Sequence, residues 1–199
     1  MEERLKLTKA STAAKVDATL YQSIIGGLRY LVYTRPDIAF VVGYVSRFIE
    51  DPREDHWAAV MRLLRYVKGT VDQGIVIPKT SGSRLQLTVF SDADMAGDID
   101  GRRSTSGVLV FLGSALISWL SLKQKLVALS TCEAEYVVAA TAACQAVWLC
   151  WLLGKLTAIV FGRQQQYVVN NGGEWSTHPV PVIQGLTETL RGGGLISRT

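Results

Sequence analysis

Apolar side chains recur at every third or fourth position in three stretches near the start of the chain. Ile24, Ile25, Leu28, Leu31 and Val32 mark a helix over Tyr21–Tyr33. Thr34-Arg35-Pro36-Asp37 restarts the chain, with Pro36 suited to a first helical turn, and Ile38, Val41, Val42, Val45, Phe48 and Ile49 form the next stripe. Asp51-Pro52 ends it, and a third helix is expected from about Arg53 to Lys68, with Trp57, Val60, Leu63, Leu64 and Val67 inward. The period then changes. Gly74–Ile77 predicts a short strand ended by Pro78, and Lys79–Ser83 a linker. Strands are expected at 85–90, 107–112 and about 115–120, with Gly113-Ser114 turning a hairpin. A long helix from Thr131 to about Leu156 and a last strand near Gln166–Val169 complete the pattern. Three antiparallel strands, a helix and a further strand predict an α/β fold, a mixed sheet with packed helices behind a small helical segment.

Composition narrows the reading in three ways. A hydrophobic content of 48% with 19% charged residues supplies a substantial core and excludes a disordered chain. The formal charge of +4 is compatible with a polyanionic partner and equally with a solvated surface. Cys132, Cys144 and Cys150 share one helical stretch, and His56 and His178 stand apart, so neither a disulfide framework nor a Cys/His zinc site is expected. The amino terminus has no apolar signal core, which fits an intracellular setting, cytoplasmic or nuclear. Two runs, Ser104–Leu122 and Tyr136–Leu153, carry no charge and approach the length of a membrane span. Gly107, Gly113 and several hydroxyl residues suit the first run to two buried strands, and alanines with Gln145 suit the second to a core helix, so a membrane hairpin is the weaker alternative.

Candidate chemistry gathers around one strand end and one helix. Asp92 follows the strand ending at Phe90 and should sit at the sheet's end. Asp94, Asp98 and Asp100 lie further out, where turn formation and solvation account for them. Ser130-Thr131-Cys132-Glu133 has the spacing of a capping box, which gives Glu133 a structural role. Glu135 shares a face with Ala139, Ala142 and Ala146, and a carboxylate there needs a partner, either a metal ion or a basic side chain. Carboxylates from separate elements are the ligand type that two-metal phosphodiester cleavage requires. Asp37 and His56 read as surface or capping residues. Trp119 reads as a core residue or a base-stacking one, and Trp148 and Trp151 read as core.

The chain also resembles a known family. Residues 21–31 (YQSIIGGLRYL), 34–40 (TRPDIAF), His56-Trp57 and 64–70 (LRYVKGT) are similar to the end of the reverse transcriptase region in copia-type retrotransposon Pol polyproteins. Residues 91–98 (SDADMAGD), 103–107 (RSTSG), 117–119 (ISW), 123–125 (KQK) and 129–136 (LSTCEAEY) resemble the ribonuclease H domain that follows. The resemblance implies a helical connection segment over residues 1–76, a ribonuclease H-like domain over 77–172 and a divergent, loosely structured tail over 173–199. It implies Mg2+- or Mn2+-dependent cleavage of the RNA strand of RNA–DNA hybrids, with the rest of the Pol polyprotein as ancestral partner and no membrane. Asp92 matches the first catalytic acid and Glu135 the second, both as metal ligands. At the third, the family's aspartate is replaced by Asn170, whose amide oxygen brings no charge, so the metal is expected to bind weakly. No stretch matches the fourth acid. Arg102, Arg103, Ser104 and Thr105, with Lys123 and Lys125, are the expected substrate contacts. The expectation is a truncated copy with low or absent ribonuclease activity, the alternative being a nucleic-acid-binding remnant without catalysis.

Overall fold

The computed structural model describes residues 6–78, 86–160 and 167–171, with side chains as far as Leu156. The linker expected at Lys79–Ser83 and the tail from residue 173 lie outside the described residues. The chain divides into two compact units, one of Met1–Val76, Ala93–Gly107 and Trp119–Ala134, the other of Ile77–Asp92, Val108–Ser118 and Glu135–Thr199. The first therefore holds the whole helical segment together with the acidic loop and the start of the long helix.

In the first unit, helix α1 (Ala18–Leu31) begins where the Asp17 carboxylate accepts hydrogen bonds from Thr19 N–H (2.8 Å) and Leu20 N–H (3.3 Å). Its Tyr21, Ile25 and Leu28 are buried. The second stripe is not one continuous helix. Short 3₁₀ turns at Pro36–Ile38 and Ser46–Phe48 flank α2 (Ala39–Val45). Pro36 starts the tight first turn, and Ser46 Oγ donates back to the Val42 carbonyl (2.6 Å) where the α-helix gives way. Helix α3 spans Glu54–Gly69. Ile25, Ile38, Val42, Val45, Val60 and Leu63 close the core between these helices. The Tyr21 hydroxyl, buried among them, donates to the Val45 carbonyl (2.9 Å), and burial pushes its phenol above the ordinary range.

His56 is a capping residue but not a surface one. Its ring is fully buried, stacked on Phe48 at 4.0 Å between centroids. Nδ1 accepts from Arg53 N–H (3.1 Å) at the start of α3, which leaves the proton on Nε2 to donate to the Thr8 carbonyl (3.1 Å). Asp37 is ion-paired with Arg35 at 2.7 Å and accepts from Tyr66 Oη (3.0 Å). Hydrogen bonding from Arg35 holds its carboxyl below the usual range. Trp119 resolves as structural, its indole N–H donating to the Val32 carbonyl (3.0 Å).

The sheet has the order β3-β2-β1-β4, from β1 (Leu87–Ala93), β2 (Thr105–Leu112), β3 (Ala115–Lys123) and β4 (Tyr167–Asn171). The first three strands form an antiparallel sheet, and β4 runs parallel to β1. Gly113 turns the β2–β3 hairpin at φ +61°, a conformation that favours glycine. Leu87 and Val89 alternate with less buried neighbours along β1. On the other face Phe90 meets Phe111 edge-on, with centroids 5.7 Å apart. Helix α4 (Thr131–Val160) covers the expected long helix, with Val138, Ala142, Ala146 and Leu149 buried.

Two expectations are corrected. Gly74–Ile77 is not a strand. Val76 and Ile77 are 80% and 74% exposed, because a short apolar run that pairs with no strand among the described residues gains nothing from extension. By contrast, the uncharged run 104–122 forms the two strands expected of it, against the weaker alternative of a membrane hairpin. Among the described residues one helix, Thr131–Leu156, is long and apolar enough to cross a membrane by length and composition. Finally, Trp148 and Trp151 are not core residues, being 54% and 63% exposed.

Candidate functional site

Asp92 is the sixth residue of β1, and its side chain is exposed beyond the buried Ser91. The neighbouring strand comes up beside it from the other end of the unit's chain. In the parallel register Phe90 stands opposite Asn170 and Ser91 opposite Asn171, so Asn170 lies two positions short of Asp92 at the same end of adjacent strands. Glu135 enters from α4, in the same compact unit, one turn after the helix start. It is half-buried, with Oε2 shielded from solvent.

The start of α4 is fixed by the expected cap. Glu133 N–H donates to Ser130 Oγ (3.1 Å), and Glu133 Oε2 accepts from Leu129 N–H (2.7 Å). Glu133 is thereby committed to backbone, and Glu135 is the acid left on the face of Ala142 and Ala146. Gln124 adds a second tie, donating from Nε2 to the Ala134 carbonyl and to Ser106 Oγ, each at 3.0 Å.

The acidic loop is built differently from the sequence expectation. Asp98 is not a solvated turn residue but is 5% exposed. Its carboxylate pairs with Lys123 Nζ (2.6 Å) and Arg47 Nη1 (3.3 Å), and accepts from Gly101 N–H (2.8 Å). Burial alone would raise its pKa, but the Lys123, Gly101 and Arg47 contacts outweigh that and hold it below the usual carboxylate range. Asp100 accepts from the Thr8 hydroxyl (2.5 Å) and Lys9 N–H (2.8 Å). Asp94 accepts from Thr105 N–H, and its own N–H donates to the Thr105 carbonyl (3.1 Å). Arg102 sits in the left-handed region at φ +52°, its N–H closing the turn onto the Asp98 carbonyl (2.8 Å).

These contacts sort the expected substrate residues. Arg102, Arg103 and Lys125 are exposed. Ser104 is fully buried, its Oγ accepting from Ala96 N–H (3.2 Å), and Thr105 is buried beside it. Lys123 is drawn into the Asp98 pair. Burial takes Ser104 out of the accessible surface and pairing with Asp98 engages the partly exposed Lys123, leaving three exposed cations, Arg102, Arg103 and Lys125. Arg47, 51 residues from Asp98, is a part of this loop that sequence reasoning missed, and no local motif marks it.

A divalent metal needs several hard oxygen ligands held together. Among the described residues no group of three or more His, Cys, Asp or Glu side chains could hold one. Asp92 and Glu135 supply two carboxylates, and the β4 position beside β1 is an asparagine.

The class is thus an α/β protein in which an antiparallel three-stranded sheet is extended by a parallel strand delivered after a long helix. Its family emerges from its relatives. Over 151 residues, 76% of the chain, it is 46% identical to the retrovirus-related Pol polyprotein from transposon RE2 of Arabidopsis thaliana. Over 150 residues it is 46% identical to the corresponding polyprotein from transposon TNT 1-94 of Nicotiana tabacum. The chain spans only about a tenth of the length of these polyproteins. It covers 90% of the secreted RxLR effector protein 161 of Plasmopara viticola, at 46% identity over 130 residues. No protein-family model and no solved structure matches it. The chain belongs to the family of copia-type retrotransposon Pol-derived proteins.

Proposed function

We propose that this chain is a ribonuclease H-type domain of a retrotransposon Pol protein, preceded by the end of the reverse transcriptase region, with its hydrolytic centre impaired at one metal ligand. The observation that carries the reading is the parallel register of β1 and β4, with Asp92 and Asn170 at the same end of the two adjacent strands. Support also comes from the cap that consumes Glu133 and leaves Glu135 on the inner face of α4.

Asp92 and Glu135 are the residues that would hold Mg2+ or Mn2+, with the Asn170 amide oxygen as a third, neutral donor. The bound metal supplies an activated water and stabilises the leaving oxygen during phosphodiester hydrolysis. Two carboxylates fit one divalent ion loosely and do not balance the four charges of a pair. Replacing a carboxylate by an amide removes one negative charge from the ligand set, and affinity for hard cations falls with that charge. The reading is tested by incubating the chain with a labelled RNA–DNA hybrid and Mg2+ or Mn2+. Unmodified protein is expected to cut feebly or not at all, Asn170→Asp to gain Mg2+-dependent cleavage of the RNA strand, and Asp92→Asn to abolish it.

The exposed cations Arg102, Arg103 and Lys125 favour a second reading, binding without turnover. Phosphate contacts release counterions, so hybrid affinity should fall steeply with salt. Replacing all three cations by alanine should flatten that slope. A salt-independent affinity for the hybrid, or an unchanged slope in the triple variant, would contradict phosphate contact by these side chains.

A further inference from the structure

The exposed apolar side chains of the second unit form a row. Tyr136, Ala140, Cys144, Trp148 and Leu152 follow at four-residue intervals along α4, and all five are on its solvent side. Tyr136 is 68% exposed and Leu152 40%, and Trp151 flanks the row at 63%. Side chains four apart stack into one ridge on a helix surface. The ridge is long, uncharged and rich in aromatic rings, whereas soluble monomers rarely leave so large an apolar patch to water.

We infer that this ridge is the contact face of a symmetric antiparallel dimer of the chain. The order of sizes along it is self-complementary. Reversed about Cys144, the row sets the small Ala140 against the large Trp148 of the second copy, with the two Cys144 residues facing each other and Tyr136 and Leu152 at the flanks of the contact. A two-fold contact has this property, because each pairing occurs twice. Charge agrees in the same register, since Glu133 of one copy falls opposite Lys155 of the other. The area is sufficient as well. At roughly 200 Å² for a fully exposed aromatic side chain, the exposed fractions leave on the order of 500 Å² of apolar surface per copy. With flanking polar groups a pair buries above about 1,000 Å², the lower bound for a specific interface.

The experiment uses the full chain, without nucleic acid, in sedimentation velocity at micromolar concentration. A species of twice the mass of one chain is expected, converted to monomer by Trp148→Glu with an unchanged circular dichroism spectrum. A second readout does not depend on that variant folding. Diamide takes two electrons and two protons from a pair of thiols, joining them as a disulfide. Facing Cys144 side chains should give a covalent dimer that is lost in Cys144→Ser and kept in Cys132→Ser. A monomer that forms no cross-link would overturn the proposal. So would a dimer whose cross-link runs through Cys132, or a chain soluble only in detergent, which would assign the ridge to lipid. None of these readouts requires ribonuclease activity.

Discussion

A single carboxylate, Asp98, ties the acidic loop to the helical core. It accepts from Lys123 on β3, Arg47 after α2 and the Gly101 amide, while itself nearly inaccessible to water. Removing one member of a buried pair leaves the remaining charges without compensation, at a cost of about 3–5 kcal/mol in closed interiors. Lys123 keeps some access to solvent, so Asp98→Ala is expected to lose about 2–3 kcal/mol in a urea titration. The pH dependence follows from the direction of the shift. Asp98 has a lower pKa folded than unfolded, so its contribution is complete above the unfolded value near pH 4 and is lost as pH falls through the folded value. Thermal melts from pH 6 downward should therefore decline more steeply in the parent chain than in Asp98→Ala. Equal slopes would show that the pair contributes nothing. This part of the molecule was illegible in the sequence. Four aspartates between residues 92 and 100 look alike as turn formers, and which of them is buried depends on an arginine 51 positions from it.

Elements were easier to read than their environments. The β2–β3 hairpin announced itself through β-branched residues interrupted by Gly113-Ser114, and the start of α4 through Ser130 and Glu133, whose bonds are both present. Ser130→Ala should cost about 1 kcal/mol, the usual worth of an N-cap, measured as a lower unfolding midpoint in denaturant. No change would mean that the Gln124 tie to Ala134 fixes the helix start by itself. The faces of α4 were a different matter. A helix apolar all round shows no preferred side, so the alanines between 139 and 146 and the tryptophans at 148 and 151 all read as core. The structure buries Val138, Ala142, Ala146 and Leu149 and exposes Ala140, Cys144, Trp148 and Trp151, so the split follows the side of the helix and not residue size. Close packing explains the first half of that arrangement, and the ridge on the opposite side is what a second copy would cover. The failed strand at Gly74–Ile77 teaches a related point, because apolar residues before a proline define a strand only if another strand is there to pair with.

At the scale of the whole molecule, the chain divides into two compact units, and it belongs to the family of copia-type Pol-derived proteins. The topology brings two strand ends side by side by a parallel pairing that spans more than 70 residues of sequence. The order of elements, three antiparallel strands, a helix and a further strand, pointed to a mixed sheet, but no local motif dictates which strand β4 joins. On the proposed reading, the scaffold for hybrid cleavage persists while its ligand set is short of one charge at Asn170. The most direct test is the rate of RNA-strand cleavage in a labelled RNA–DNA hybrid with Mg2+, compared between the parent chain and Asn170→Asp. The account predicts little or no cleavage by the parent and metal-dependent cleavage by Asn170→Asp that a further Asp92→Asn change abolishes. Vigorous cleavage by the parent, or none by Asn170→Asp while its fold is intact, would contradict it.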